Sequence, residues 1–252
     1  MRLKLSLLPL ALFFAGCLGS KNIVVNETYA DADFSQRRVT VLPVPLDAIT
    51  IRDTALVREE YDTDTREPAI ALQDSLWKTL TSSTSASLLK GSCSSATLPQ
   101  NMFLSQSDTA DFFAVKLQLA GQKGDTELTF FVPQRRLFSG DSMDVGLVLN
   151  SFDLNTTNHQ FSSPGFYTPG HTISTPGGSF ETAGHWSMGG SGTSMSLWAF
   201  VRFIMWDYRA GRPIVHGTVE AKVLLGHSLF VLFDVTAQRL FEDSPFGWKR
   251  GL

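Results

Sequence analysis

Leu197–Trp206 reads LWAFVRFIMW, Asp207–Arg212 reads DYRAGR, and Ile214–Leu225 reads IVHGTVEAKVLL. The first run is aromatic and β-branched, the composition that suits a pleated, packed strand. The six residues after it carry an Asp and a Gly in turn positions. The third run alternates. Val215, Gly217, Val219, Ala221 and Val223 fall on one face, and Ile214, His216, Thr218, Glu220 and Lys222 on the other. An antiparallel hairpin with one packed and one partly wet face follows. On that reading His216 is a surface residue, while Trp198 and Trp206 share a strand face and belong to the core.

Upstream the same period recurs. Phe113, Val115, Leu117 and Leu119 alternate with Ala114, Lys116 and Gln118, and Leu128, Phe130 and Val132 alternate after the turn-like Gln122–Asp125. Asp144–Phe152 (DVGLVLNSF) is a further apolar run. Arg37–Pro45 (RRVTVLPVP) predicts a buried strand closed by prolines. Residues 46–67, rich in Asp, Glu, Arg and Thr, predict an exposed connection. Pro68 suits the first position of a helix. Ile70, Leu72, Leu76, Trp77 and Leu80 extend that helix over 69–81, with 90 as its furthest end. Residues 228–241 fit a strand or a helix, and the Leu232, Val235, Arg239 spacing favours a helix after Phe233. Residues 162–196 differ in kind, with eight glycines, three prolines and many Ser and Thr. They predict a long loop, and long loops are often functional. The expected fold is therefore α/β: one domain over 37–252, a mainly antiparallel sheet packed by helices, with 162–196 as a Gly/Ser/Pro-rich insertion.

The composition supports a sizeable core: 252 residues, 43% hydrophobic and 11% aromatic. A net charge of −3 argues against a nucleic-acid partner. Two cysteines exclude a disulfide scaffold and a four-cysteine zinc site. The longest charge-free apolar run is N-terminal. Residues 1–20 read MRLKLSLLPLALFFAGCLGS, with Arg2 and Lys4 ahead of an apolar Leu5–Phe14. That run is too short for a permanent membrane helix and has the length of a secretory leader.

Phe14-Ala15-Gly16-Cys17 resembles the bacterial lipobox, with Phe14 where Leu is usual. The resemblance implies cleavage after residue 16, lipidation of Cys17, and a tether over 17–36. Arg2 and Lys4 would leave with the leader, so the charge of −3 becomes −5. Three acyl chains suffice for stable anchoring. Leu18 stands where an Asp would resemble an inner-membrane retention signal, so the outer membrane is the expected address, facing either the periplasm or the surface. Cys93, in Gly91–Ser95, then lacks a disulfide partner. No flanking His or basic residue lowers its pKa, and a structural thiol is expected.

The strand with VTVLPVP, the helix, the strands and VRFIMWDYRAGRPIVHG resemble the TolB amino-terminal-like superfamily of periplasmic lipoproteins, which includes the curli secretion lipoprotein. Those proteins open with a strand ending in Leu-Pro and carry a strand pair joined by Asp-x-x-x-Gly, here Asp207–Gly211. The match covers Arg37–Pro45 and Leu197–Val223, and 162–196 departs from it. It implies a helper role in envelope assembly or transport, with no catalytic residues to carry over.

Chemical motifs are sparse. His159, His171, His185, His216 and His227 form neither HExxH nor HxH. His171 and His185, with Glu181 and either Asp153 or His159, could fold round Zn²⁺, but solvated histidines are the expectation, with no metal and no cofactor. Glu59, Glu60, Asp62 and Asp64 lack the Gly and terminal Glu of an EF-hand. Ser179 and Ser191 sit in Gly-rich strings without the strand-to-helix elbow of a hydrolase nucleophile. A hydrolase ranks last, and a non-enzymatic role is expected. Phe161, Phe166, Tyr167, Phe180 and Trp186 crowd the insertion. They either cap the core or bind, and Phe166, Tyr167 and Trp186 are the candidate binding residues, for a glycan or an envelope protein.

Overall fold

The structure is a computed structural model. It describes residues 20–61, 67–96, 106, 111–119, 125–137, 143–162, 166–168, 172–175, 178–181, 185–187, 191–224 and 228–248. In chain order the elements are β1 (Lys21–Val25), β2 (Arg38–Val41), β3 (Ile49–Ile51), α1 (Thr54–Tyr61), α2 (Pro68–Ser87), β4 (Ser92–Ser95), β5 (Phe112–Leu119) and β6 (Thr126–Pro133). β7 (Val145–Ser162), β8 (Phe166–Thr168), β9 (Thr172–Thr175), β10 (Gly178–Glu181), β11 (His185–Ser187), β12 (Ser191–Asp207), β13 (Arg212–Leu224) and α3 (Leu229–Phe241) complete them.

The main sheet runs β1-β13-β12-β7-β2-β4, with β3 also paired to β7. Pairings among β1, β13, β12 and β7 are antiparallel, and those of β2 and β3 with β7 and of β2 with β4 are parallel. The expected α/β class with a mainly antiparallel sheet is the observed one. The period of two assigns each strand residue to a layer. Leu147, Leu149, Phe203 and Met205 pack with α2 and α3 residues such as Leu72, Leu76, Leu232 and Phe233. Val148, Ile204 and Trp206, one step out of phase, pack instead under the β5–β6 hairpin with Phe130 and Val132. Asn150 fastens that hairpin. Its Oδ1 accepts from the Phe131 N–H, and its Nδ2 donates to the Phe131 carbonyl at 3.2 Å.

α2 begins at the expected Pro68 and extends to Ser87. Its Ser/Thr tail stays helical with Thr79, Leu80, Ser83 and Thr84 buried, and Thr81 and Ser82 return their hydroxyls to the carbonyls of Trp77 and Thr79. α3 starts at Leu229, four residues before the expected Phe233. Residues 46–67, expected as a bare connection, hold β3 and α1, with Val57 fully buried. In β5 it is Phe112 that is buried, while Phe113 is partly exposed and packs edge-on to Trp206 at 5.4 Å. Trp206 is core as expected, whereas Trp198 is half-buried.

Two expectations need larger corrections. The 17–36 tether is in fact part of the domain from Lys21 onward. β1 adds to the sheet from Lys21 opposite Val219 to Val25 opposite Val215. Tyr29 and Phe34 are buried beyond it, and the Phe34 ring lies 4.5 Å from that of Phe246. Five residues are too few for a period to be legible. Gly217 permits the approach, since a Cβ there would lie 2.2 Å from the Asn22 carbonyl oxygen.

The second correction concerns 162–196, which is not a bare loop. β7 and β12 pair from Val145 with Asp207 out to Ser162 with Ser191. β8 then pairs with β11, His185 opposite Thr168, and β9 with β10, Gly178 opposite Thr175. Each interval between them has the same length on both strands, so one register runs from Arg202 opposite Ser151 to Gly178 opposite Thr175. The described pairs share this register, and together they are called the ribbon below. Pairing across the ribbon replaces the hydrophobic burial that its composition lacks.

Candidate functional site

The ribbon carries the candidate binding residues Phe166, Tyr167 and Trp186. β13 ends at Leu224 opposite Ser196, and β3 ends at Ile51 opposite Leu154. Beyond that level β7 and β12 have no third strand among the described residues. Thr157–Ser162 alone carries them about 17 Å past the sheet at ~3.3 Å per residue. Register sorts the residue types. Tyr167 stands opposite Trp186, Ile173 opposite Phe180 and Phe161 opposite Gly192, all at positions of one parity. The other parity holds Gln160, Ser162, Thr168, His185, Thr172, Glu181, Ser174, Ser179 and Ser191, with Phe166 opposite Ser187. Of the three candidate binding residues, register therefore joins Tyr167 and Trp186 and sets Phe166 apart. The signal was present in the sequence: equal intervals of aromatic and β-branched residues on either side of Pro176-Gly177.

Cys17, His171, His227, Asp62 and Asp64 lie outside the described residues. Glu59 and Glu60 are on α1, and both are exposed. His159 stands opposite Ser194 and His185 opposite Thr168, at separate levels of the ribbon. Among the described residues no three of His, Cys, Asp and Glu come together as a metal site. Ser179 lies within a strand opposite Ser174, and Ser191 opens β12 opposite Ser162. Neither occupies a strand-to-helix elbow.

The densest polar constellation is one that the sequence reading missed. Asp207, 1% exposed, ends β12. Its Oδ1 accepts from the backbone N–H of Arg209 at 2.8 Å and of Ala210 at 3.0 Å. Its Oδ2 accepts the Tyr29 hydroxyl at 2.9 Å, with Arg37 Nη2 at 3.9 Å. The Arg212 Nε donates to Tyr29 Oη at 3.2 Å, and its guanidinium lies 5.2 Å from the centre of that ring. Burial, ahead of its charged neighbours, pushes the Tyr29 hydroxyl up from its ordinary pKa. These contacts tie the N-terminal segment to the Asp207–Gly211 turn, where Gly211 adopts φ +65°. The knot has the geometry of a structural lock: every acceptor on the carboxylate faces a protein donor.

His216 is a correction as well. Expected at the surface, it is 6% exposed beneath the β5–β6 hairpin. Its Nε2 lies 3.0 Å from the Gln118 carbonyl, Phe130 packs edge-on to its ring at 5.6 Å, and Nδ1 is buried without a hydrogen-bond partner among the described residues. Desolvation, outweighing the Gln118 bond, lowers its pKa. The unfolded chain therefore binds this proton more readily than the folded one. The stability contribution is complete above the unfolded value of ~6.5 and is lost as pH falls below it. Urea midpoints measured down this range should fall, and less steeply in His216→Leu. Parallel slopes for the two proteins would refute this assignment.

Cys93 is half-buried on β4, and its Sγ points at the Thr81 carbonyl at 3.7 Å. Burial pushes its thiol up to about 12. The thiolate is the reactive form, so a disulfide reagent at pH 8 should leave native Cys93 almost unlabelled and titrate it fully after denaturation. Rapid stoichiometric labelling of the native protein would contradict this.

No helix among the described residues is long and apolar enough to cross a membrane. No family model matches the chain, and neither a curated protein nor a solved structure matches it.

Proposed function

We propose that this chain is a lipid-anchored protein of the bacterial outer membrane, held by Cys17, with a non-enzymatic binding or assembly-helper role. The observation that carries the binding role is the ribbon. Beyond the last pair with β13 its described strands keep one register, and that register sets aromatic positions opposite each other. A two-stranded arm costs conformational entropy that it recovers poorly by burial, so a bound partner is its natural source of stability. The partner is an envelope protein or polymer.

Replacing residues 158–195 by a two-residue turn tests the role. The shortened protein should unfold as cooperatively as wild type and stay membrane-bound, yet lose the partners that crosslink to wild type in native envelopes. An unchanged set of crosslinked partners would reject the arm as the binding element. The anchor is tested by Cys17→Ser, which should release the protein from membranes. A wild type that is correctly processed and fully soluble would sink it.

Glycan capture is a second reading, favoured by the direct cross-strand pairing of Tyr167 with Trp186. Aromatic pairs of this kind can stack on sugar rings. Tyr167→Ala combined with Trp186→Ala should then abolish polysaccharide retention, and undiminished retention would exclude it.

A further inference from the structure

Three features converge on one end of the sheet. The first is the chain's entry. β1 runs antiparallel to β13, so going back from Val25 to Lys21 moves along β13 from Val215 to Val219. Ser20 continues that direction: its carbonyl accepts the Glu220 N–H at 2.8 Å, and its own N–H donates to Glu220 Oε2 at 2.9 Å. Only Leu18 and Gly19 separate Ser20 from Cys17. Three residue steps span at most about 11 Å. From the level of Glu220 to that of Leu224 is about 13 Å of strand at ~3.3 Å per residue.

The second feature is exposed apolar surface. Leu224, the last residue of β13, is 54% exposed, and Phe230, in the first turn of α3, is 55% exposed. They flank the connection from β13 to α3, at the end to which β1 leads back. The other exposed large apolar side chains among the described residues have different settings. Phe113 packs on Trp206, and Leu89 lies against Gly247 where β4 begins. The third feature is the ribbon, which leaves the sheet at the Ser196–Leu224 level and so from this same end.

We infer that this end is the membrane-facing end of the domain, with Leu224 and Phe230 in contact with the lipid surface. The inference rests on the anchor proposed above. Acyl chains on Cys17 must enter the bilayer, and the short link to Ser20 then holds the Leu224–Phe230 end against it. Two apolar side chains that cost free energy in water gain it there, and they fix the tilt that a single flexible anchor leaves free. The ribbon, projecting from the same end, meets the same surface.

The test uses the lipidated full-length protein in vesicles of phosphatidylethanolamine and phosphatidylglycerol. Phe230→Cys and Ala210→Cys are each labelled with an environment-sensitive fluorophore. Cys17 is blocked by its lipid and Cys93 is replaced by Ser in both proteins, so each label has one site. Ala210 lies in the β12–β13 turn, at the opposite end. Spin-labelled lipids should quench the probe at 230 several-fold more than the probe at 210, with a blue shift at 230 alone. Protein that floats with the vesicles but shows equal, weak quenching at both positions overturns the orientation and leaves the anchor standing. A probe at 230 that is shielded equally with and without vesicles assigns the patch to a second copy of the chain and also overturns it. Wild-type protein from native envelopes that proves to carry no lipid on Cys17 overturns both.

Discussion

Asp207→Ala should lower the unfolding free energy by about 3–5 kcal/mol, the range for removing one partner of a buried charged network. In a domain of this size that is roughly 10 °C in Tm. The loss has three sources on one side chain. The Arg209 and Ala210 N–H groups lose the acceptor that shapes the turn, the Tyr29 hydroxyl loses its own, and Arg37 keeps a partly buried charge with less to face. Arg37 Nη1 is already buried without a partner among the described residues, so no slack exists there. Tyr29→Phe removes one hydrogen bond and should cost only about 1 kcal/mol. Because Asp207 also fastens the chain that follows β1, limited proteolysis of Asp207→Ala should cut first between residues 26 and 37. A urea midpoint for Asp207→Ala within error of wild type would show that the turn holds without its carboxylate.

Phe152→Ala should cost a similar amount, about 3–5 kcal/mol, by opening a cavity in the helix-side core. Phe152 is fully buried on β7 and packs edge-on to Phe233 of α3, ring centres 5.8 Å apart. It stands opposite Val201 on one side and Ile49 on the other. The cavity is therefore walled by two neighbouring strands and a helix that cannot collapse without breaking pairing. Phe230→Ala, in the first turn of that helix and largely exposed, should change stability by no more than about 0.5 kcal/mol. The contrast between two phenylalanines of one chain is measurable in a single denaturation series. Equal effects would mean that α3 packs differently from this description.

Most of the sheet was legible wherever burial is one-sided and the strand long. β13 shows a two-residue alternation, and β7 and β12 are apolar enough to declare a covered strand. Helix α2 announced itself through Pro68 and the Leu72, Leu76, Leu80 stripe. His216 was misplaced because its parity is the polar one. Nothing local tells that residues a hundred positions earlier fold a hairpin over that face. β1 was missed because five residues carry too little period. The ribbon was missed because glycine, serine and proline lower strand propensity, and pairing across the ribbon overrides propensity only in three dimensions.

The candidate site divides in the same way. Cys17 and the aromatic residues of 161–186 were visible as residue types, but which of them belong together was not. Register joins Tyr167 to Trp186 and sets Phe166 apart. It also turns two unremarkable residues, Leu224 and Phe230, into one end of the molecule. By itself the sequence determined the class of fold, the strands of its centre and the signature at Cys17, because side-chain period and short motifs are local properties. Only the tertiary structure decided what pairs with what. Hydrogen-bond register and the covering of a face depend on residues far apart in the chain, and no local pattern encodes them.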